Sequence, residues 1–135
     1  MKRLAAAAAL AVLVVTVAWA FAVGFATAKE PAASPADSKP QIDVLTWEGA
    51  IQPITAEVVS HAIDRAEKER REALVIRLDT PGGLDTSMRD IIKRILISEV
   101  PIIVYVAPSG GRAASAGTFI AMAAHVAAMS PGTSI

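Results

Sequence analysis

The chain has 135 residues with 13 basic and 13 acidic side chains, so its length allows at most one modest domain and its charge balance predicts no binding to nucleic acid. It contains no cysteine, which excludes a disulfide framework, a thiolate nucleophile and cysteine-ligated zinc. Two histidines, His61 and His125, do not make a metal site, and we expect neither a metal nor a cofactor.

The first 28 residues have the pattern of an export signal. A basic start, Met1–Arg3, is followed by an uncharged stretch that ends in the small residues Ala26-Thr27-Ala28. Residues 4–23 are also long enough to span a bilayer at a rise of ~1.5 Å per residue. We therefore predict a signal peptide over residues 1–28, with a retained membrane anchor as the alternative. In both cases the rest of the chain is exported or membrane-associated and lies on the extracytoplasmic side.

Residues 29–41 are predicted to be a linker. This stretch is rich in proline, alanine and serine and contains no large apolar side chain, so it cannot contribute to a core. The folded domain is then expected over residues 42–135.

Strands and helices alternate through the predicted domain. Runs of β-branched and other apolar residues predict strands at 42–47, 73–78, 102–106 and 126–129. Between them, apolar residues at helical spacing predict three helices. We expect the first to be capped by Thr55, the second by Asp85 or Thr86, and the third to run from about Ser115 to Ala124.

This order predicts an α/β fold with a mainly parallel sheet that is covered on its faces. Right-handed crossovers place the loops that follow the strands at one edge of the sheet. Two of those loops are rich in glycine, 79–83 and 108–111, so we expect any functional site at this edge.

Three common glycine motifs fail on these loops. The phosphate loop requires a lysine after its last glycine, but Thr118 follows Gly117. Neither glycine pair gives the dinucleotide fingerprint, and Ala113 replaces the first glycine of the lipase-type G-x-S-x-G elbow. Considered alone, Ser115 is best explained as a helix N-cap and the glycine pairs as turns.

The combination of the two loops favours a functional interpretation. Ser115 lies at a predicted helix N-terminus among small residues, where free N–H groups and the helix dipole favour negative charge. The loop that contains Gly82 and Gly83 can direct a second N–H at the same point, as a tetrahedral acyl intermediate requires. The pair Gly110–Gly111 has room for an extended peptide, so we expect it to contact a substrate strand.

The segments "LDTPGG" (78–83), "AASAGTFIA" (113–121) and "MSPGTSI" (129–135) closely resemble the stomatin operon partner proteases. These are NfeD-type membrane-bound serine proteases of the Clp/crotonase superfamily. The resemblance implies a Clp/crotonase-like fold of repeated β-α units and a Ser-Lys dyad. It also implies that Ser115 is the nucleophile and that Gly82 or Gly83, with Ala116, supplies the backbone oxyanion donors.

The chain departs from the family at the general base. The family lysine lies several tens of residues after the serine, whereas this chain has no lysine after Lys93. Lys93 is predicted on the solvated side of the second helix, and His125 is predicted at a partly buried helix-to-strand junction far from the hydroxyl. We therefore expect the chain to be an N-terminal fragment of a domain that is incomplete at its C-terminus, inactive alone, with its lysine beyond Ile135.

The resemblance implies a serine endopeptidase that cleaves apolar segments of membrane proteins such as stomatin-like proteins, and a homo-oligomer, dimeric or larger. Two other functions remain open at this point. One is a non-catalytic scaffold or assembly module, in which Ser115 is only a cap. The other is a crotonase-like acyl-CoA enzyme, which an export signal argues against because acyl-CoA is cytoplasmic.

Overall fold

A four-stranded parallel sheet organises the domain. The computed structural model describes residues 39–135, so the predicted export signal and most of the predicted linker lie outside the described residues. The strands are β1 (Ile42–Glu48), β2 (Ala73–Asp79), β3 (Ile102–Val106) and β4 (Val126–Met129), and they are neighbours in that order. The connecting helices are α1 (Pro53–Lys68), α2 (Asp85–Leu96) and α3 (Ala116–Ala123). This arrangement confirms the predicted α/β class and the parallel sheet.

The core lies between the sheet and the three helices. Side chains of a strand alternate between its two faces, and in β2 and β3 every second side chain is buried against the helices. These are Leu74, Ile76, Leu78, Ile102, Val104 and Val106. They join apolar side chains from all three helices in one cluster, which includes Ile63 of α1, Ile91 and Ile95 of α2 and Ile120 of α3.

The opposite face of the sheet is partly exposed, whereas the sequence predicted that both faces are covered. Val44, Val75, Ile103 and Val126 form a row across this face. Val44 and Val126 are 55% and 52% exposed, and no helix of residues 39–135 packs over the row. Sequential strand order explains the difference, because right-handed crossovers between strands in the order β1 to β4 put every connecting helix on the same side.

Two predicted helix caps are wrong. The first helix begins at Pro53 after Gln52, and Thr55 lies inside the first turn, where its hydroxyl accepts the backbone N–H of Gln52 at 2.9 Å. The second helix is preceded by Leu84, which makes no side-chain cap. The Leu84 N–H donates to the carbonyl of Ile51 at 2.9 Å, so pairing between loops, and not a side-chain cap, fixes where α2 begins.

A charged cluster links α1 to α2. The guanidinium of Arg94 on α2 contacts Asp64 and Glu67 on α1 with N–O distances of 2.7 and 2.6 Å. Glu67 also accepts the backbone N–H of Glu99 at 2.9 Å. The hydrogen bond from Arg94 holds the pKa of the Glu67 carboxyl below its ordinary value of 4.5. The cluster therefore fixes the two helices relative to each other and favours the ionised carboxylate.

Residues 39–135 include no helix that is both long and apolar enough to cross a bilayer.

We predict that Glu67→Gln lowers the free energy of unfolding at pH 7 by about 1 kcal/mol, because the amide loses the charge-assisted bonds to Arg94. The folded state lowers the pKa of Glu67, so its contribution is complete above the unfolded pKa and is lost as pH falls through the folded pKa. The difference between wild type and variant should therefore be constant near neutral pH and shrink below about pH 4.5. Urea denaturation at several pH values measures it.

Glu57→Gln is the matched control, because Glu57 is exposed on the same helix and makes none of the ion pairs found in residues 39–135. A pH-independent difference for Glu67→Gln, or an equal loss in both variants, contradicts the prediction.

Candidate active site

The loops that follow the strands are paired with one another at the carboxyl edge of the sheet. Three isolated parallel bridges connect them, Ile51 with Gly83, Thr80 with Ala113, and Arg112 with Ser134. The two glycine-rich loops, 79–83 and 108–111, therefore lie side by side, as the sequence predicted. The pairing brings the serine of one loop against the glycines of the other.

Thr80 makes the bridge between the two loops. Its backbone N–H donates to the carbonyl of Arg112 at 2.7 Å, and its carbonyl accepts the N–H of Ala114 at 3.0 Å. In addition, the backbone N–H of Arg112 donates to Oδ1 of the Asp79 carboxylate at 3.0 Å. The segment that leads to Ser115 is thus fixed to the end of β2 by three hydrogen bonds.

Ser115 has an unusual backbone conformation. Its φ is 53° and its ψ is −114°, one of two positive φ values among the non-glycine residues of 39–135. Non-glycine residues are held there only where the surrounding structure requires it, at a cost of about 1–3 kcal/mol, and such residues cluster at functional sites. The residue is exposed and immediately precedes α3.

The hydroxyl of Ser115 does not cap the helix. An N-cap serine accepts an N–H from the first turn and has an extended backbone, whereas Ser115 has a positive φ and makes no side-chain cap bond. The structure therefore removes the simplest non-functional explanation for this serine. Its exposed hydroxyl is available to an external group.

Gly82 lies directly against Ser115. A Cβ at position 82 would be 2.7 Å from the Cβ of Ser115 and 3.2 Å from its Oγ, and the φ of Gly82 is +108°. Both the space and the backbone angle therefore require glycine here. The close approach places the peptide groups of this loop within reach of any group bound to the Ser115 Oγ.

The backbone N–H groups around Ser115 are not equivalent. The N–H of Gly82 donates to Thr80 Oγ1 at 3.1 Å. The N–H groups of Gly83 and Ala116 donate to no acceptor within residues 39–135. The N–H of Ala116 is one of the unpaired donors that every helix start leaves. Two donors, one next to Gly82 and one next to Ser115 along the chain, are thus unpaired within residues 39–135.

The two glycines of the second pair, Gly110 and Gly111, differ in their exposure. Gly110 is exposed with a φ of +82°, and nothing lies within 4 Å of where its Cβ would be. Gly111 is buried, its N–H donates to the Pro108 carbonyl at 2.9 Å, and its carbonyl accepts the Ser134 N–H at 3.3 Å. The predicted contact of Gly110 and Gly111 with a substrate strand remains a prediction, and only Gly110 has open space.

His125 lies at the opposite end of β3 from the Ser115 loop, and Lys93 is exposed to solvent. The backbone N–H of Ile102 donates to Nδ1 of His125 at 3.1 Å. Ile102 is the first residue of β3, and the loop that leads to Ser115 follows the last. A strand of five residues is roughly 15 Å long, so His125 is about that far from the Ser115 end of the sheet. His125 is exposed, where the sequence predicted partial burial. Lys93 is 76% exposed and 3.8 Å from Asp90 on its own helix, as predicted.

An apolar groove runs between α2 and α3. It has a volume of about 370 Å³, and its lining residues are Asp85, Met88, Arg89, Ile92, Lys93 and Phe119. Phe119 is one helical turn after Ser115 and is 55% exposed. The flanking charges are paired, Arg89 with Asp85 and Lys93 with Asp90, so the groove offers an apolar floor without a strong net charge.

The contacts of Thr80 were not predicted from the sequence. It is fully buried, its hydroxyl bonds Gly82 within the first loop, and its backbone connects that loop to the segment before Ser115. The available signal was a threonine between a buried strand and a Pro-Gly-Gly turn, where its side chain can bond the N–H two residues later.

Within residues 39–135 no group of three or more potential ligands could hold a metal ion.

The sequence matches a known family and a longer protease. The family described as "NfeD1b, N-terminal domain" matches residues 42–135. The membrane-bound protease PH1510 of Pyrococcus horikoshii is 46% identical over 103 residues, which are 76% of this chain and 23% of that protein. The chain therefore spans less than a quarter of the length of this relative.

Solved structures share the fold. The N-terminal domain 1510-N from Pyrococcus horikoshii, a membrane protease specific for a stomatin homolog, has a TM-score of 0.68 and 44% identity over 71% of this chain and 48% of that one. It has also been solved as a serine-to-alanine mutant and as a lysine-to-alanine mutant in complex with a substrate peptide. A mutant ClpP1 from Listeria monocytogenes has a TM-score of 0.61 and 25% identity over 67% of this chain and 52% of that one.

We predict that Gly83→Ala lowers the free energy of unfolding by about 3 kcal/mol or more. A Cβ at position 83 would be 2.1 Å from the carbonyl oxygen of Ile51, so the bridge between these loops must open. Gly110→Ala should cost only about 1 kcal/mol, because it has the left-handed backbone penalty and no clash.

Denaturant midpoints of the two variants, measured with the wild type, test this difference. Equal losses in the two alanine variants would show that the contact of Gly83 with Ile51 does not constrain the loop.

Proposed function

This chain belongs to the NfeD1b family, to whose N-terminal domain residues 42–135 correspond, and we propose that it is the nucleophile-bearing part of a membrane-associated serine endopeptidase. The observation that carries the proposal is the surroundings of Ser115. Its exposed hydroxyl lies on a left-handed backbone directly against Gly82, and the N–H groups of the next residue, Gly83, and of Ala116 have no acceptor in the described part of the chain. The ClpP-like fold and the family membership confirm the resemblance seen in the sequence.

In the proposed reaction, the Ser115 Oγ attacks the carbonyl carbon of a peptide bond while a general base takes the hydroxyl proton. The carbonyl oxygen becomes an oxyanion, which accepts hydrogen bonds from Gly83 and Ala116. Collapse of this intermediate breaks the C–N bond, and the base returns the proton to the leaving amine. Water then attacks the acyl-enzyme by the same sequence of proton transfers and regenerates Ser115.

Gly83, and not Gly82, is the proposed donor from the first loop. The Gly82 N–H is already bonded to Thr80 Oγ1, and Gly82 is buried whereas Gly83 is exposed. The two proposed donors come from different loops, so they can approach the oxygen from two sides. Because both are backbone groups held by the fold, they need no rearrangement when charge develops.

We propose that the general base is a lysine beyond Ile135. The mutated residues in the solved 1510-N structures are a serine and a lysine that lie several tens of residues apart, and the same separation counted from Ser115 passes Ile135. A lysine can accept the serine proton only when it is neutral, so it must lie in an apolar or cationic environment that lowers its pKa.

The proposed substrate is an apolar segment of a membrane protein. The groove between α2 and α3 has an apolar floor, and Phe119 on α3 is one turn from the nucleophile. The related 1510-N is specific for a stomatin homolog, so a stomatin-like protein is the first candidate substrate. We also propose that the domain lies on the extracytoplasmic side, following a signal or anchor in residues 1–28, and that the full protein is a homo-oligomer.

We predict that Ser115→Ala reduces labelling of the full-length protein by a fluorophosphonate probe by at least about 10³-fold, because the probe requires an activated serine hydroxyl. Gel fluorescence and intact mass measure the labelling. Ser109→Ala is the matched control, since Ser109 is exposed in the same loop and contacts Ser130, so it should label as the wild type does. Full labelling of the Ser115 variant rejects the nucleophile and leaves the scaffold function standing.

We predict that Phe119→Ala lowers kcat/KM by about 10-fold for peptides with large apolar side chains, and much less for peptides with small ones, because an aromatic contact surface is lost. Met122→Ala serves as the control, because Met122 lies on the same helix, is 71% exposed and does not line the groove. Equal effects of Phe119→Ala on both peptide classes, or equal effects of the two variants, argue against the groove as the substrate-binding surface.

A further inference from the structure

Thr80 is a fully buried polar residue that takes no part in the proposed reaction. It follows β2 directly and is 0% exposed. Burying a hydroxyl is unfavourable unless it is hydrogen-bonded. All the polar groups of Thr80 are bonded, and their partners belong to the two loops that flank Ser115.

The backbone of Thr80 is bonded to the loop that precedes the serine. Its N–H and carbonyl pair with Arg112 and Ala114 at 2.7 and 3.0 Å. These two bonds lie on either side of Ala113 and form a parallel bridge. Along the chain, only two residues separate Ala113 of this bridge from Ser115, so the position of Thr80 constrains the segment that carries the nucleophile.

The side-chain hydroxyl of Thr80 is bonded within its own loop, 79–83. Its Oγ1 accepts the N–H of Gly82 at 3.1 Å and donates to the carbonyl of Gly82 at 3.2 Å. Both bonds hold Gly82 at its φ of +108°. They also remove the Gly82 N–H from the site, which leaves the next N–H, that of Gly83, as the unpaired donor of this loop.

The methyl group of Thr80 contacts the start of α3. A Cβ at position 117 would be only 2.4 Å from Thr80 Cγ2, so the methyl group fills the space that Gly117 leaves open. Gly117 is adjacent to Ala116, the second proposed donor. One side chain therefore contacts both loops, with its oxygen on the first and its methyl group on the second.

We propose that Thr80 is a positioning residue that sets the geometry of the two oxyanion donors, the hydroxyl by orienting the Gly82–Gly83 peptide and the methyl group by fixing the first turn of α3. It acts through the backbone and does not touch the substrate. The inference rests on the proposed function, since it assigns a role in the reaction of Ser115.

The pair Thr80→Val and Thr80→Ser separates the two parts of the side chain. Valine keeps the shape and the methyl group but leaves the Gly82 N–H without its acceptor. Serine keeps the hydroxyl and removes the methyl group. Thr46→Val makes the same chemical change at an exposed position of β1, and it controls for general effects of a threonine-to-valine substitution.

Three experiments are carried out on the full-length protein and its variants. The first is kcat and KM for an apolar peptide. The second is the affinity for a peptide boronic acid, which forms a tetrahedral adduct with the serine and resembles the transition state. The third is the affinity of the uncleaved peptide in the Ser115→Ala background, which reports binding without the oxyanion.

We expect Thr80→Val to lower kcat and boronate affinity by about 10-fold or more, with KM and uncleaved-peptide affinity within about two-fold of wild type. Thr80→Ser should recover most of the loss, and Thr46→Val should behave as the wild type. A merely structural role would not separate boronate affinity from peptide affinity. Equal loss in both affinities, or no loss in either, overturns the inference.

Circular dichroism establishes that each variant is folded. If Thr80→Val does not fold, Thr80→Cys replaces it and is compared with Thr80→Ser, because the two differ by one atom and a thiol is a weaker acceptor than a hydroxyl. The inference then requires the cysteine variant to have the lower boronate affinity, and equal values overturn it. A wild-type protein that fluorophosphonate does not label rejects the proposed function itself, whereas equal boronate affinity in a labelled protein rejects only the role of Thr80.

Discussion

The parallel pairing of Thr80 with Ala113 is the constraint on which the rest of the site depends. The sheet ends at the carboxyl edges of β2 and β3, and without this bridge the loops that follow could separate. Two backbone bonds to the segment before Ser115 prevent that. The serine is therefore positioned by the continuation of the sheet and not by a flexible loop. Glycines at 82 and 117 permit the approach, because side chains there would collide with Ser115 and Thr80.

The same constraint explains how Ser115 keeps an unfavourable backbone angle. A positive φ is retained when surrounding contacts over-determine the conformation. Here the bridge fixes the chain two residues before Ser115, and α3 begins directly after it. The cost is offset by the buried core beneath, a cluster to which both Ile120 of α3 and Leu78 of β2 belong. The resulting turn exposes the hydroxyl and leaves the N–H of Ala116 unpaired, so strain and function have the same structural origin.

Much of the fold follows from the sequence because the pattern of apolar strands and amphipathic helices is local. The prediction that the two glycine loops lie side by side is also confirmed, because parallel strands bring their carboxyl ends to one edge of the sheet. What could not be predicted depends on contacts between distant residues. The helix caps were wrong because loop pairing, as in the bond from Leu84 to Ile51, fixes a helix start. The proposal of Gly83, and not Gly82, as oxyanion donor depends on the position of one hydroxyl, that of Thr80, which accepts the Gly82 N–H.

We propose that a tetrahedral adduct on Ser115 places its oxygen between the backbone nitrogens of Gly83 and Ala116. A crystal structure of the full-length protein with a bound peptide boronic acid tests this most directly. We expect a covalent bond from the Ser115 Oγ to boron and one boronate oxygen about 2.7–3.1 Å from both backbone nitrogens. A boronate attached to another residue, or one whose oxygens contact neither nitrogen, would contradict the proposed position of the oxyanion.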